Sequence, residues 1–163
     1  MFQIEALTDD ELIEAYGGVI NELKNREIIR SKNLLGDLGE YFAINFYSKT
    51  AGLPKLQFAP IGTQNIDAIS INGERYSIKS TTGKTTGVFY GLNEPNSAEP
   101  DQKKFEYVII VVFNGDYLLD KIIELTWDEF LNKRKWHSRV RAWNLSITQK
   151  LINESKVIYI KNK

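Results

Sequence analysis

The run Tyr107–Phe113, Tyr-Val-Ile-Ile-Val-Val-Phe, constrains the fold more than any other stretch of this chain. All of its side chains after the tyrosine are apolar, so a β-strand formed from it would be apolar on both faces. Such strands lie in sheets that are covered on both sides. Helix-like segments occur before and after the run, and the sequence predicts an α/β fold with a central mixed β-sheet flanked by helices.

The length of 163 residues suits one domain, 1–163, with a sizeable core. We divide it into an N-terminal helical extension (1–33), a core (34–125) and a C-terminal helix with strands (126–163). The 21 basic and 21 acidic side chains balance, so a nucleic-acid contact must come from a local patch. The absence of cysteine and the single histidine exclude a disulfide framework, a thiolate zinc site and a histidine-rich metal cage.

The chain carries no stretch that is typical of membrane insertion or secretion. Its longest apolar run is far too short to cross a bilayer. Residues 1–8 lack a basic region followed by an apolar run. We therefore expect a soluble cytoplasmic protein with no membrane partner.

A capping box, Thr8-Asp9-Asp10-Glu11, predicts the start of the first helix. We expect this helix to run to about Arg30, with an interruption at Gly17-Gly18, and to pack on the domain or form a dimer contact. Its apolar positions are Leu12, Ala15, Ile20, Leu23 and Ile28.

A second helix is expected over residues 34–47. Gly36, Glu40 and Ala43 fall on one ridge of it, and each interior glycine costs about 1 kcal/mol relative to alanine. A close approach of this helix to the sheet beside Glu40 would offset that cost. The alternative is that Glu40 is an ordinary exposed helical carboxylate. The expected buried stripe consists of Leu35, Leu38, Phe42 and Phe46.

Residues 65–80 predict a β-hairpin whose loop length decides which side chains meet. A two-residue Asn72-Gly73 turn would place Asp67 opposite Ile78 and on the other face from Lys79. A three-residue loop, with Gly73 left-handed in a bulge, would place Asp67 opposite Ser77, with Lys79 one step along on the same side. We predict the odd-numbered loop, because it gathers apolar side chains on the other face: Ile66, Ala68, Tyr76 and Ile78.

The remaining elements are weaker. We expect strands at 55–59, 117–125 and 157–160, a helix from the capping box at Thr126 to about Lys133, and turns over 93–104 that close with a short helical turn. Gly83-Lys84-Thr85 does not begin a phosphate loop, because Ile78 stands where that motif needs glycine. Lys84, in its hydroxyl-rich loop, could still contact a phosphate backbone.

Residues 133–143 carry five basic side chains and no acidic one. If residues 138–146 form a strand, Arg139, Arg141 and Trp143 share a face, and basic groups beside aromatic rings suit nucleic-acid backbones and bases. The alternative is a solvated basic edge strand that prevents association between sheets. The candidate nucleic-acid contacts are Lys84, Lys133, Arg134, Lys135, Arg139, Arg141 and Trp143.

Two acids and a lysine at one sheet edge have a specific use in phosphate chemistry. Mg²⁺ binds phosphate-transfer substrates through one or two carboxylates plus waters and the phosphate. A nearby ammonium can orient or deprotonate the attacking water and neutralise charge on the scissile phosphate. Residues 34–113 resemble the PD-(D/E)xK nuclease superfamily, which has the restriction-endonuclease-like fold. Gly36-Asp37-Leu38-Gly39-Glu40 resembles its first core helix, and Arg75-Tyr76-Ser77-Ile78-Lys79-Ser80 its third motif strand.

This resemblance implies a role for each matching position. Asp67 would be the central metal ligand, Lys79 the catalytic lysine, Glu40 an outer metal ligand, and the Ile78 backbone carbonyl a further ligand, with Mg²⁺ or Mn²⁺ as the cofactor. The departure is Ser77, in the catalytic motif position where the family pattern has Asp or Glu. A serine side chain brings no negative charge to the metal site. Glu40 is the better candidate to supply the missing charge.

We therefore expect a metal-dependent DNA endonuclease, a hydrolase of phosphodiester bonds acting in restriction or other DNA processing. The family likeness also implies a homodimer, because cutting two strands needs two sites. One alternative is a DNA-binding or protein-interaction module of the same fold whose metal site has lapsed at Ser77. Another is a small structural or interaction protein in which the hairpin is only scaffold.

Overall fold

The computed structural model describes residues 3–162 of the chain. A short 3₁₀ turn at Ile4–Ala6 precedes the first helix. The helices are α1 (Asp9–Asn25), α2 (Leu34–Lys49), α3 (Trp127–Lys133) and α4 (Gln149–Glu154). The strands are β1 (Leu56–Phe58), β2 (Ala68–Ser70), β3 (Arg75–Thr81), β4 (Tyr107–Phe113), β5 (Leu119–Thr126), β6 (Lys135–His137), β7 (Ala142–Asn144) and β8 (Lys156–Ile160).

Six of these strands form one mixed sheet in the order β1-β2-β3-β4-β5-β8. The central β3–β4 pair is parallel, and each of the other neighbouring pairs in this sheet is antiparallel. Strands β6 and β7 form a separate hairpin. The expected α/β class, with a mixed central sheet flanked by helices, is confirmed.

Strand β4 is covered on both faces, as its composition predicts. Val108, Ile110 and Val112 pack with side chains of α3 and α4 on one face. Ile109, Val111 and Phe113 pack with α2 on the other face. The alternation of a strand thus divides the core into two layers, one on each side of the sheet.

Helix α1 differs from its expected form. The capping box at Thr8 and Glu11 is present, but the helix ends at Asn25, because Glu27 adopts a left-handed conformation with φ of 57°. It continues without a break through Gly17 and Gly18, since glycine lowers helix propensity without removing a backbone hydrogen bond. No α1 residue is buried, and its exposed apolar side chains include Leu12, Ile13, Tyr16 and Val19.

Helix α2 buries a different face from the predicted one. Leu35, Leu38, Phe42 and Phe46 are only half-buried at the rim of the core, whereas Gly39, Ala43 and Tyr47 are buried against the sheet. Small residues such as Gly39 and Ala43 permit the closest approach of a helix to a sheet, so they lie where α2 contacts the sheet. A Cβ on Gly39 would lie 1.6 Å from the Ser80 hydroxyl oxygen. The predicted close approach of helix to sheet beside Glu40 is therefore confirmed.

Two predictions in the second half of the chain fail: the strand over residues 138–146 and the helical turn that closes the turns of residues 93–104. Residues 138–146 are not one strand: a turn, in which Arg141 has a φ of 53°, separates β6 from β7. Residues 93–104 form turns and irregular structure without a helical turn, and the Asn93 N–H donates to the Asp101 carboxylate at 2.6 Å across them.

The other predicted elements are present with shifted ends. The strand expected from Tyr117 begins at Leu119, because Tyr117 is left-handed with φ of 59°. The strands expected at 55–59 and 157–160 correspond to β1 and β8. The helix expected from Thr126 corresponds to α3. Within residues 3–162, no helix is both long and apolar enough to cross a membrane.

Candidate active site

The hairpin between β2 and β3 has the predicted three-residue loop. Ala68 pairs with Tyr76 and Ile69 with Arg75, and the Ser70 N–H donates to the Glu74 carbonyl at 2.9 Å. The loop is Ile71-Asn72-Gly73, and Gly73 has the left-handed φ of 85° that a bulge glycine adopts. This register places Asp67 opposite Ser77, and Lys79 lies one step further along the same face of β3.

Asp67 lies immediately before the first residue of β2, where β3 continues beyond its paired stretch. The Asp67 N–H donates to the Tyr76 carbonyl at 2.9 Å. One carboxylate oxygen, Oδ2, accepts the Ile78 N–H at 2.6 Å and the Ser77 hydroxyl at 3.5 Å. A strand residue directs its N–H and C=O to the same side, so the Ile78 carbonyl is also directed toward this edge. A carboxylate and a carbonyl are therefore available side by side.

Glu40 reaches the same place from α2. A cavity of about 290 Å³ is lined by Glu40 and Asp67 together. Burial, and after it the negative charge of Asp67, raise the pKa of Glu40 to about 7, although the ion pair with Arg30 opposes the shift. Two carboxylates facing one small space repel each other, and a cation between them would relieve that repulsion.

Lys79 lies near Asp67 in the register of the hairpin, but its side-chain contacts are separate from those of Asp67 and Glu40. Its ammonium lies 5.0 Å from the centre of the Phe89 ring. Within residues 3–162 it takes part in none of the salt bridges. It is also outside the residues that line the cavity with Asp67 and Glu40. Of the four expected catalytic positions, two line the cavity, while Ser77 contacts Asp67 and Lys79 projects toward Phe89.

The donor set suits a magnesium ion with few protein ligands. Within the described part of the chain, no group of three or more histidine, aspartate or glutamate side chains is arranged to hold a metal. Mg²⁺ is commonly held by one or two carboxylates with several waters. Ser77 is fully buried, and its hydroxyl orients the Asp67 carboxylate without adding charge. Asp67, Glu40 and the Ile78 carbonyl are the groups here that could hold such an ion.

Arg30 lines this cavity although no pattern in the sequence points to it. Its guanidinium pairs with Glu40 and lies over the Phe58 ring, 3.8 Å from the ring centre. It was expected to be the last residue of the first helix, and its position depends on contacts with α2 and β1 that no local pattern encodes. The signal available was Asp37 in the first turn of α2, a position that commonly accepts backbone N–H groups.

The basic residues of 133–143 do not form one continuous face. Three of them pair with acids far along the chain: Lys133 with Glu154, Arg134 with Asp101, and Arg141 with Glu94. The Arg134 guanidinium also stacks on Trp143, at 4.0 Å from the ring centre, and the Trp143 indole N–H donates to the Asn93 carbonyl. Among the described residues, the candidates that are exposed and outside salt bridges are Lys84, Lys135 and Arg139.

Comparisons with models of known protein families and with curated proteins found no match. The interpretation of the site therefore depends on its own geometry and chemistry.

Proposed function

We propose that this chain is a metal-dependent endonuclease that hydrolyses DNA phosphodiester bonds on a restriction-endonuclease-like core. The observation that carries the proposal is the meeting of Glu40 and Asp67 in one cavity, from elements that are distant in sequence. The hairpin register supports it, because Ser77 and Lys79 share the face that Asp67 meets. These are the positions at which the sequence resembles PD-(D/E)xK nucleases.

The metal would be held by the Asp67 and Glu40 carboxylates and the Ile78 carbonyl. When bound, Mg²⁺ or Mn²⁺ supplies a positive charge that stabilises the scissile phosphate as negative charge develops on it. Asp67 is pre-oriented for this role, since the Ile78 N–H and Ser77 hydroxyl occupy one of its oxygens and leave the other for a ligand.

Lys79 would supply the second positive charge. Its ammonium lies near the Phe89 ring, and its flexible stem would have to carry it from there to a phosphate bound at the cavity. There it would neutralise phosphate charge and hold or move a proton at the attacking water. The exposed cations Lys84, Lys135 and Arg139 would contact the DNA backbone further away.

We also propose that the protein acts in the cytoplasm as a homodimer formed through α1. The exposed apolar side chains of α1 have no partner within residues 3–162, and its two ends carry opposite charge. In an antiparallel pair of helices, the acidic first turn (Asp9, Asp10, Glu11) of one copy would lie beside Lys24 and Arg26 of the other. A dimer would provide the two sites that double-strand cleavage requires.

Cleavage of supercoiled plasmid DNA tests the proposal. We expect cleavage with MgCl₂ or MnCl₂, none with EDTA, and loss of cleavage in Asp67→Asn and Lys79→Ala. Asp116→Asn and Lys49→Ala change the same residue types at exposed positions outside the cavity, and both should cleave normally.

Two results would contradict the proposed nuclease activity. Salt-sensitive DNA binding without cleavage would instead support a lapsed DNA-binding module. Absence of both binding and cleavage would support a protein-interaction module.

A further inference from the structure

Among residues 3–162, Arg30 is the single basic residue that lines the Glu40–Asp67 cavity. The same wall contributes three acids, Asp37, Glu40 and Asp67. The Arg30 guanidinium pairs with Glu40, which is one of the two carboxylates assigned to the metal. The Arg30 guanidinium therefore already neutralises the Glu40 carboxylate, whose negative charge the metal ion would need for binding.

The backbone of Arg30 is held in place independently of its side chain. One oxygen of the Asp37 carboxylate accepts the backbone N–H groups of both Arg30 and Ser31, at 2.8 and 2.5 Å. Ile29, the preceding residue, is only 2% exposed. A substitution at Arg30 therefore removes the guanidinium while the segment that carries it stays attached to α2.

The side chain is partly open to solvent. It is 39% exposed and is held by the ion pair with Glu40 and by the Phe58 ring, so the guanidinium can turn toward solvent if Glu40 takes another partner. A dication at Asp67 and Glu40 would repel a guanidinium at the same carboxylate. Metal and Arg30 are thus alternative partners of Glu40.

We propose that Arg30 is an internal competitor for the divalent cation, which must be displaced from Glu40 before the metal is fully coordinated. Arg30 is a positioning residue in this scheme, because it acts through Glu40. The inference rests on the proposed function, since it takes Glu40 and Asp67 as metal ligands.

Calorimetric titration of MnCl₂ into metal-free protein, without DNA, tests the competition directly. We expect Arg30→Gln to bind Mn²⁺ roughly five- to tenfold more tightly than the unmodified chain, because one positive charge beside the ion is removed. Arg30→Lys keeps the charge and should stay within about twofold of the unmodified chain. Lys150→Gln removes an exposed positive charge near Glu154, outside the cavity, and should change nothing.

Two further variants make the readout specific. Mn²⁺ binding is assigned to this site only if the Asp67→Asn substitution abolishes it. Arg30→Met, whose unbranched side chain can still cover Phe58, repeats the charge removal if Arg30→Gln does not give a cooperative thermal transition.

The outcomes separate this inference from the function on which it rests. Asp67-dependent Mn²⁺ binding that is tighter in the Arg30→Gln or Arg30→Met variant supports it. Asp67-dependent binding that is equal or weaker in these variants overturns the competition and leaves the metal site standing. Absence of Asp67-dependent binding in every variant overturns both.

Discussion

The Tyr47 hydroxyl donates a hydrogen bond of 2.6 Å to the Glu124 carboxylate, and both residues are buried between α2 and β5. Burial raises the pKa of Tyr47, so the phenol remains a donor at all ordinary pH values. Lys156 approaches the other carboxylate oxygen at 3.3 Å. A buried carboxylate in the core is therefore held by one neutral and one charged donor.

Removal of this hydroxyl should destabilise the fold. We expect Tyr47→Phe to lower the free energy of unfolding by about 1–3 kcal/mol, because Glu124 loses a buried hydrogen-bond partner. Urea denaturation followed by circular dichroism measures the difference. Tyr16→Phe is the control, since Tyr16 is 65% exposed on α1, and an equal effect of both changes would contradict the prediction.

Two glycines in helices should respond oppositely to alanine. Gly39→Ala should destabilise by about 1–3 kcal/mol, since the added Cβ would overlap Ser80 on β3 and force α2 away from the sheet. Gly18→Ala should stabilise by up to about 1 kcal/mol, because its Cβ would meet open space in α1. Thermal and urea unfolding of both variants test the pair, and stabilisation by Gly39→Ala would refute the close approach.

The Arg75–Glu106 pair should make the free energy of unfolding depend on pH in the acidic range. Hydrogen bonds from Arg75 lower the pKa of Glu106 from 4.5 to about 2 in the folded protein. A carboxyl whose pKa is depressed by folding contributes stability above its unfolded pKa and loses it as the pH falls through the folded value.

The unmodified chain should therefore exceed Glu106→Gln in stability by about 1 kcal/mol near neutral pH, because the pair is partly exposed. The difference should shrink below pH 4.5 and vanish near pH 2. Urea unfolding across this range measures it, with the exposed Glu99→Gln as control. A difference that does not change with pH would contradict the assignment to ionisation.

Exposed and ion-paired basic residues should differ in their effect on DNA binding. We expect Lys135→Ala with Arg139→Ala to weaken binding and to reduce the salt dependence by about two phosphate contacts. Arg141→Ala should have a smaller effect, because Glu94 already neutralises that guanidinium. Fluorescence anisotropy over a salt series measures both, with Lys49→Ala plus Lys55→Ala as a charge-matched control.

The surface of α1 should control association. Tyr16→Lys with Val19→Lys places two charges on the exposed apolar face, and we expect it to shift the dimer to monomer in sedimentation velocity experiments. Asn21→Lys adds charge on the opposite side of the helix and should leave the dimer intact. A monomeric unmodified chain at high concentration would count against the proposed interface.

The hairpin shows where sequence patterns are reliable. Asn72-Gly73 alone favours a two-residue turn, but the alternation of Ala68, Tyr76 and Ile78 favoured the longer loop that the structure has. Burial of a whole strand face outweighs the preference of one dipeptide, because a register slip would expose every apolar side chain on that face.

Other features depended on partners that are remote in sequence. The buried face of α2 was mispredicted because large apolar residues suggested the contact, whereas the sheet packs against Gly39 and Ala43. A strand over residues 138–146 would place Arg139, Arg141 and Trp143 on one face, yet a turn divides this segment, and Glu94 from a distant loop pairs with Arg141. Arg30 enters the cavity only because Asp37 holds its backbone.

The parallel pairing of β3 with β4 also has a consequence for how the molecule forms. Strands β4 and β5 are neighbours in the chain and can join through a short turn, whereas β3 reaches β4 only after the long segment 82–106 has closed. Closure of such a segment costs entropy before any pairing energy is gained, so non-local pairing is slow. We therefore expect the half of the sheet that carries Asp67 and Lys79 to join only after β4 and β5 have paired.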